Sequence, residues 1–270
     1  MSKMFDSLRR AEAERRRRGE RSAQAPEHPT IEAAPLSQVD LPAHPAGPGG
    51  EPTRARPVSL EGEFLRELGI LRNSLDAALG DQRRPVILFT SAVAGEGTTT
   101  LATAYARLLA LEGARRVLLV ELNARRPALA ERLGVQAGDG STHYFTEVRP
   151  LSSVTQRLAD TPGVDVVAAG TPDPVKIQLN LERRFPKLLE EARRAYDAVV
   201  LDTAPVTTSP ETPPLAPLVD GVVLVVQSGR TKRQVVQRAM AMIAQFEGTL
   251  LGVVLNRKRY FIPEFIYRRL

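Results

Sequence analysis

The sequence of 270 residues contains no cysteine. Disulfides, cysteine-ligated metals and thiol nucleophiles are therefore excluded. Histidine is scarce: His28 and His44 fall in a proline-rich stretch and His143 stands apart, which argues against a histidine metal site. No run of about 18 apolar residues occurs, so no transmembrane helix is expected. The charged N-terminus lacks the apolar h-region of a secretory signal, and the expected compartment is the cytoplasm. Aromatic residues do not interleave with basic ones, so the stacking platform of a nucleic-acid binder is missing.

What is present is a net charge of +6 concentrated at the ends. Residues 1–22 carry +4 and residues 257–270 another +4, leaving −2 on the span between. Basic ends on a nearly neutral body suit docking to an acidic partner or to the anionic inner membrane surface. They equally suit plain solvated tails. Residues 1–22 read as a basic helix, with Met4, Phe5, Leu8 and Ala11 on one face and Arg15–Arg18 toward its end. Between Ala23 and Pro57 stand eight prolines and almost no large apolar side chains. Such a segment cannot offset its ordering entropy by burial, and a tether without regular structure is expected there.

From residue 58 the pattern changes. Phe64, Leu68, Leu71, Leu75 and Leu79 recur at helical spacing, and the stripe ends at Gly80. Five- to six-residue apolar runs then alternate with helical stretches, giving strands at 86–90, 117–121, 164–168, 198–202, 222–226 and 250–255. Helices are expected up to Gly113, near 128–133, around 185–195 and over Val235–Phe246. Nearly continuous apolar strands between helices predict a doubly wound, mostly parallel α/β sheet covered on both faces. Ligands in such sheets sit beyond the C-terminal ends of the strands.

Ser91-Ala-Val-Ala-Gly95-Glu96-Gly97-Thr98-Thr99-Thr100 follows the first long strand and opens a helix. A phosphate-binding loop reads G-x-x-x-x-G-K-[ST]; its amides cradle phosphates, its lysine reaches the terminal phosphates and its hydroxyl holds Mg²⁺. Thr99 occupies the hydroxyl position, but the lysine position is Thr98, which carries no charge. Two further strands end in an acid at the same expected edge, Val117–Glu121 and Ala198–Asp202. Such acids hold a magnesium ion directly or through water.

With these motifs the span 58–256 resembles the bacterial tyrosine kinases of polysaccharide export, deviant-Walker P-loop NTPases of the SIMIBI class related to MinD and ParA. The family motifs S-x-x-P-G-E-G-K-S-T, I-D-A-D-x-R-R-P and I-D-T-P-P correspond to Ser91–Thr100, Val120-Glu-Leu-Asn-Ala-Arg-Arg-Pro127 and Leu201-Asp-Thr-Ala-Pro205. The stretch Leu215–Val226 and the ending Gly252-Val-Val-Leu-Asn256 match as well. The resemblance implies that Glu121, Asn123 and Asp202 hold the catalytic positions. It implies nucleotide contacts from Gly95, Glu96, Gly97, Thr98, Thr99, Thr100, Arg126 and Asn256, with Asn256 at the purine, and Mg²⁺ at Thr99 and Asp202. The implied cofactors are ATP or ADP with Mg²⁺, and the implied partner is a membrane-embedded polysaccharide copolymerase or chain-length regulator. Homo-oligomers and phosphorylation of a tyrosine-rich tail also belong to the family; here the tail 257–270 offers only Tyr260 and Tyr267.

The departures from the family pattern fall on the chemistry. Besides Thr98, the two aspartates of the second motif are Glu121 and Asn123, and the latter can neither take a proton nor carry charge. Glu211 stands where a further aspartate is expected. The assembly motif E-x-x-R-x-x-R needs two arginines three positions apart, and here Arg66 and Arg72 stand six apart with Gly69 between them. A charge-assisted hydrogen bond contributes roughly 1.5–3 kcal/mol, so losing the lysine alone weakens phosphate binding about tenfold or more. The expectation is a pseudokinase with weak or absent nucleotide binding, acting at the inner membrane face through its partner. The competing expectations are an active autokinase using Arg125 or Arg126 in place of the lysine, and a MinD/ParA-like positioning ATPase.

Overall fold

The computed structural model describes residues 40–42, 62–113, 115–147, 149–171 and 173–258. The expected N-terminal helix, most of the tether, and Tyr260 and Tyr267 lie outside the described residues.

An eight-stranded sheet organises the chain: β1 (Asp40–Pro42), β2 (Val86–Ser91), β3 (Val117–Glu121), β4 (Gln156–Arg157), β5 (Val164–Val167), β6 (Ala198–Asp202), β7 (Gly221–Gln227) and β8 (Leu250–Lys258). The strand order is β1-β8-β7-β2-β6-β3-β5-β4. All neighbours pair in parallel except β4, which runs antiparallel to β5. The three residues of β1 lie within 23–57, where the sequence predicts no regular structure. Asp40 aligns with Leu255 and Pro42 with Lys258 at the sheet margin, where a proline is tolerated because an edge strand has unpaired amide positions.

The helices are α1 (Gly62–Leu79), α2 (Thr98–Gly113), α3 (Leu129–Leu133), α4 (Ser141–Glu147), α5 (Leu151–Val154), α6 (Pro174–Ala195) and α7 (Arg233–Gln245), with a 3-10 helix at Pro213–Leu218. Strand side chains alternate strictly between two apolar cores. Val86, Leu88, Leu118, Val120, Val199 and Leu201 face α4, α6 and α7, while Ile87, Phe89, Val117, Leu119, Ala198 and Val200 face α1 and α2. This period-two division on uniformly apolar strands is what covering both faces requires.

α6 begins eleven residues before the expected helix at 185–195. Pro174 sits in its first turn, where the missing amide costs nothing, and Asp173 Oδ1 accepts from Lys176 N at 3.0 Å. Ile177, Leu181, Phe185 and Leu188 are buried along one stripe, which tolerates the internal Pro186. Local proline chemistry suggested a loop there; burial of that stripe overrides it.

Candidate functional site

The loop Ser91–Gly97 leaves the C-terminal end of the central strand β2 and feeds the first turn of α2. Gly95 and Gly97 have φ of 87° and 97°, a left-handed backbone open to glycine with little strain. At Gly97 a Cβ would stand 2.1 Å from Asn256 Nδ2. The loop is also tied by its own acid. Glu96 is buried; its Oε2 accepts from Val93 N at 2.8 Å and its Oε1 from Gln227 N at 2.9 Å and from the Thr231 hydroxyl.

Asn256 follows the apolar run of β8 and donates from Nδ2 to the Glu96 carbonyl at 2.6 Å. Its Oδ1 accepts from Arg257 N at 2.8 Å. The residue therefore lies against the loop, as the purine-contact expectation requires, although its amide is engaged in fastening the loop. Arg257, assigned from sequence to the basic tail, instead donates to Gly95 O at 3.1 Å and to Gln227 Oε1 at 3.3 Å.

A cavity of about 560 Å³ opens in front of the loop. It brings together Gly95, Gly97, Thr98, Thr99, Thr100, Asn123 and Arg126 of the expected site. Glu96, Glu121, Asp202 and Asn256 stand outside its lining. No lysine and no carboxylate is among the lining residues; the charges there are Arg125, Arg126, Arg132 and Arg257. Sequence reasoning missed Arg132 altogether and placed Arg257 elsewhere. No spacing rule links either to a phosphate loop, because each arrives through a separate strand crossover.

The two strand-end acids are paired in register, Glu121 beside Asp202 on adjacent strands, yet their surroundings differ. Glu121 is fully buried and accepts three backbone amides: Ala128 at 2.5 Å and Leu129 at 3.1 Å on Oε1, and Ala169 at 3.0 Å on Oε2. Burial pushes its carboxyl up, opposed by those three amides and by Arg132. Its carboxylate braces the start of α3 rather than facing the cavity. Asp202 is also fully buried, and neither carboxylate oxygen has a hydrogen-bond partner among the described residues. Burial pushes its carboxyl up to about 8; the nearby Thr99 hydroxyl opposes this, the Glu121 charge adds to it and Arg132 opposes it.

An orphaned buried carboxylate beside a hydroxyl fits the outer sphere of a Mg²⁺ ion, whose remaining ligands are waters and phosphate oxygens. No group of three or more histidines and acids able to hold a metal by itself occurs among the described residues. Asn123 Oδ1 accepts from Arg126 N at 3.3 Å and so shapes the turn after β3. Arg125 Nε pairs with Glu211 Oε1 at 2.9 Å. Among the described residues no helix is long and apolar enough to cross a membrane.

No family model matches the sequence. The tyrosine-protein kinase YwqD of Bacillus subtilis strain 168 is 29% identical over 203 residues, covering 75% of this chain and 84% of that protein. The succinoglycan biosynthesis transport protein ExoP of Rhizobium meliloti strain 1021 is 31% identical over 192 residues, covering 67% of this chain and 23% of ExoP. The crystal structure of the VpsO kinase domain superposes with a TM-score of 0.64 at 30% identity, covering 73% of this chain and 98% of that domain.

Proposed function

This chain belongs to the bacterial tyrosine kinase family of polysaccharide export, and on that premise we propose that it is a degenerate, kinase-like regulator of exopolysaccharide or capsule synthesis. It docks to a membrane-embedded copolymerase or chain-length regulator at the inner face of the cytoplasmic membrane, binds ATP or ADP weakly, and transfers phosphoryl groups poorly or not at all. The relative ExoP, named for succinoglycan biosynthesis and transport, supports the polysaccharide assignment.

The observation that carries this reading is the lining of the cavity, which holds Thr98 at the lysine position and no carboxylate. Phosphoryl transfer relies on cations positioned on the transferred group and on a residue that takes the proton of the attacking hydroxyl. Asn123 cannot take a proton, Glu121 is committed to three amides, and Glu211 is paired with Arg125. Binding is less affected than transfer. The loop amides and the start of α2 still favour phosphate, and Thr99 with Asp202 would hold Mg²⁺, whose charge would neutralise phosphate oxygens. Asn256 would contact the purine by exchanging its bond to the Glu96 carbonyl for one to the base.

A second reading, an active autokinase, draws support from the four arginines at the cavity, since guanidinium groups clamp phosphate well. Tyrosine labelling separates the two, and ATP turnover without labelling would instead favour a MinD/ParA-like ATPase. The regulatory reading is tested by co-purifying the chain with a polysaccharide copolymerase from the same organism, with and without ATP. Retention independent of nucleotide is expected; failure to associate under either condition would contradict it.

A further inference from the structure

Of the four cavity arginines, one reaches the loop helix at the threonines. Arg132, on α3, donates from Nη1 to Thr100 Oγ1 at 3.0 Å, two positions beyond the missing lysine. We propose that Arg132 is the phosphate-binding cation of this site, taking the electrostatic place of the lysine absent at Thr98. The inference rests on the reading that the cavity takes nucleotide.

The other arginines are placed less well. Arg125 is held by Glu211. Arg257 is spent on Gly95 O and Gln227 Oε1. Arg126 lines the cavity from the turn after β3, and among the described residues its side chain makes no hydrogen bond or ion pair to the loop. Arg132 is also the cavity arginine that acts electrostatically on the two buried acids behind the loop, which places its charge at the strand ends where the loop begins. A guanidinium carries five donors in a planar fork and stays protonated, so one bond to Thr100 leaves several for a phosphate. Its exposed position lets the side chain reorient at small cost.

Glu121 fits the same arrangement as a positioning residue. Its Oε1 takes the amides of Ala128 and Leu129, which fixes where α3 starts and therefore where Arg132 emerges three residues later. The lost lysine and the glutamate at the strand end then belong to one local rearrangement, in which the cation comes from α3 instead of the loop.

The test measures binding of Mg²⁺-ADP, pyrophosphate and adenosine to the full-length wild type, Arg132→Ala, Thr98→Lys and the double variant. Thermal melting of each variant checks the fold, and Arg132→Ala should melt with the wild type because the residue is exposed. Arg132→Ala is expected to weaken ADP and pyrophosphate by roughly ten- to a hundredfold and to leave adenosine unchanged. Thr98→Lys should restore binding in the double variant. Wild-type binding that Arg132→Ala changes less than twofold overturns the role of Arg132 while leaving the nucleotide site standing. Wild-type protein that takes up neither ADP nor pyrophosphate overturns both.

Discussion

Asp202 shows at the scale of one residue what a buried strand-end acid costs in stability. A carboxylate with no partner in a fully buried position is expensive when charged, and its carboxyl is accordingly pushed up to about 8. A folded-state value above the unfolded one contributes stability that is fully present below about pH 4 and is lost as pH rises through about 8. The groups facing it are Thr99, Glu121 and Arg132. Asp202→Asn should therefore raise the melting temperature of the ligand-free protein, little at pH 4 and by roughly 5 °C at pH 8, while removing any Mg²⁺ dependence of nucleotide binding. A gain that does not grow with pH would contradict the assignment. The position of Asp202 was legible in the sequence as an acid after four apolar strand residues. Its isolation was not, because that depends on which polar groups the surrounding elements bring to it. Glu121 illustrates the same limit. Its place at the strand end was readable, but its commitment to amides seven, eight and forty-eight residues away was not.

Elements were legible wherever burial follows one simple period. The six long strands were located within a few residues, because each is apolar on both faces and bounded by turn or charged residues. β1 and the first half of α6 were not, since prolines at both places argue locally for loop while pairing with β8 and burial of the Ile177–Leu188 stripe decide otherwise. α1 gives an element-scale prediction. Gly69 lies inside this helix, and a Cβ there meets nothing within 4 Å. Gly69→Ala should stabilise the protein by about 0.5–1 kcal/mol through helix propensity, seen as a rise of roughly 2–4 °C in melting temperature. A fall would mean that the open space is occupied, for example by a neighbouring copy. The loop behaves oppositely. Gly97→Ala meets both a left-handed φ and Asn256 Nδ2, so it should cost about 1–3 kcal/mol and weaken nucleotide binding by freeing the loop from β8. Unchanged melting and binding would show that the Asn256 latch is dispensable.

Across the whole molecule, the doubly wound sheet delivers the loop, both strand-end acids and Asn256 to one edge, as the alternating pattern predicted. What it assembles there is a cavity with arginines on its walls and acids behind them, which favours binding an anion over activating a hydroxyl. Residues acting as a unit in catalysis are strongly non-additive. Thr98→Lys alone should thus strengthen nucleotide binding without producing robust autophosphorylation. Measurable transfer should require Asn123→Asp and Glu121→Asp in addition, the latter at some cost to the start of α3. The central claim is tested most directly by incubating purified full-length wild type with Mg²⁺ and radiolabelled ATP and mapping phosphotyrosine by mass spectrometry. The account predicts no label at any tyrosine; stoichiometric labelling of Tyr260 or Tyr267 would contradict it and establish an active autokinase.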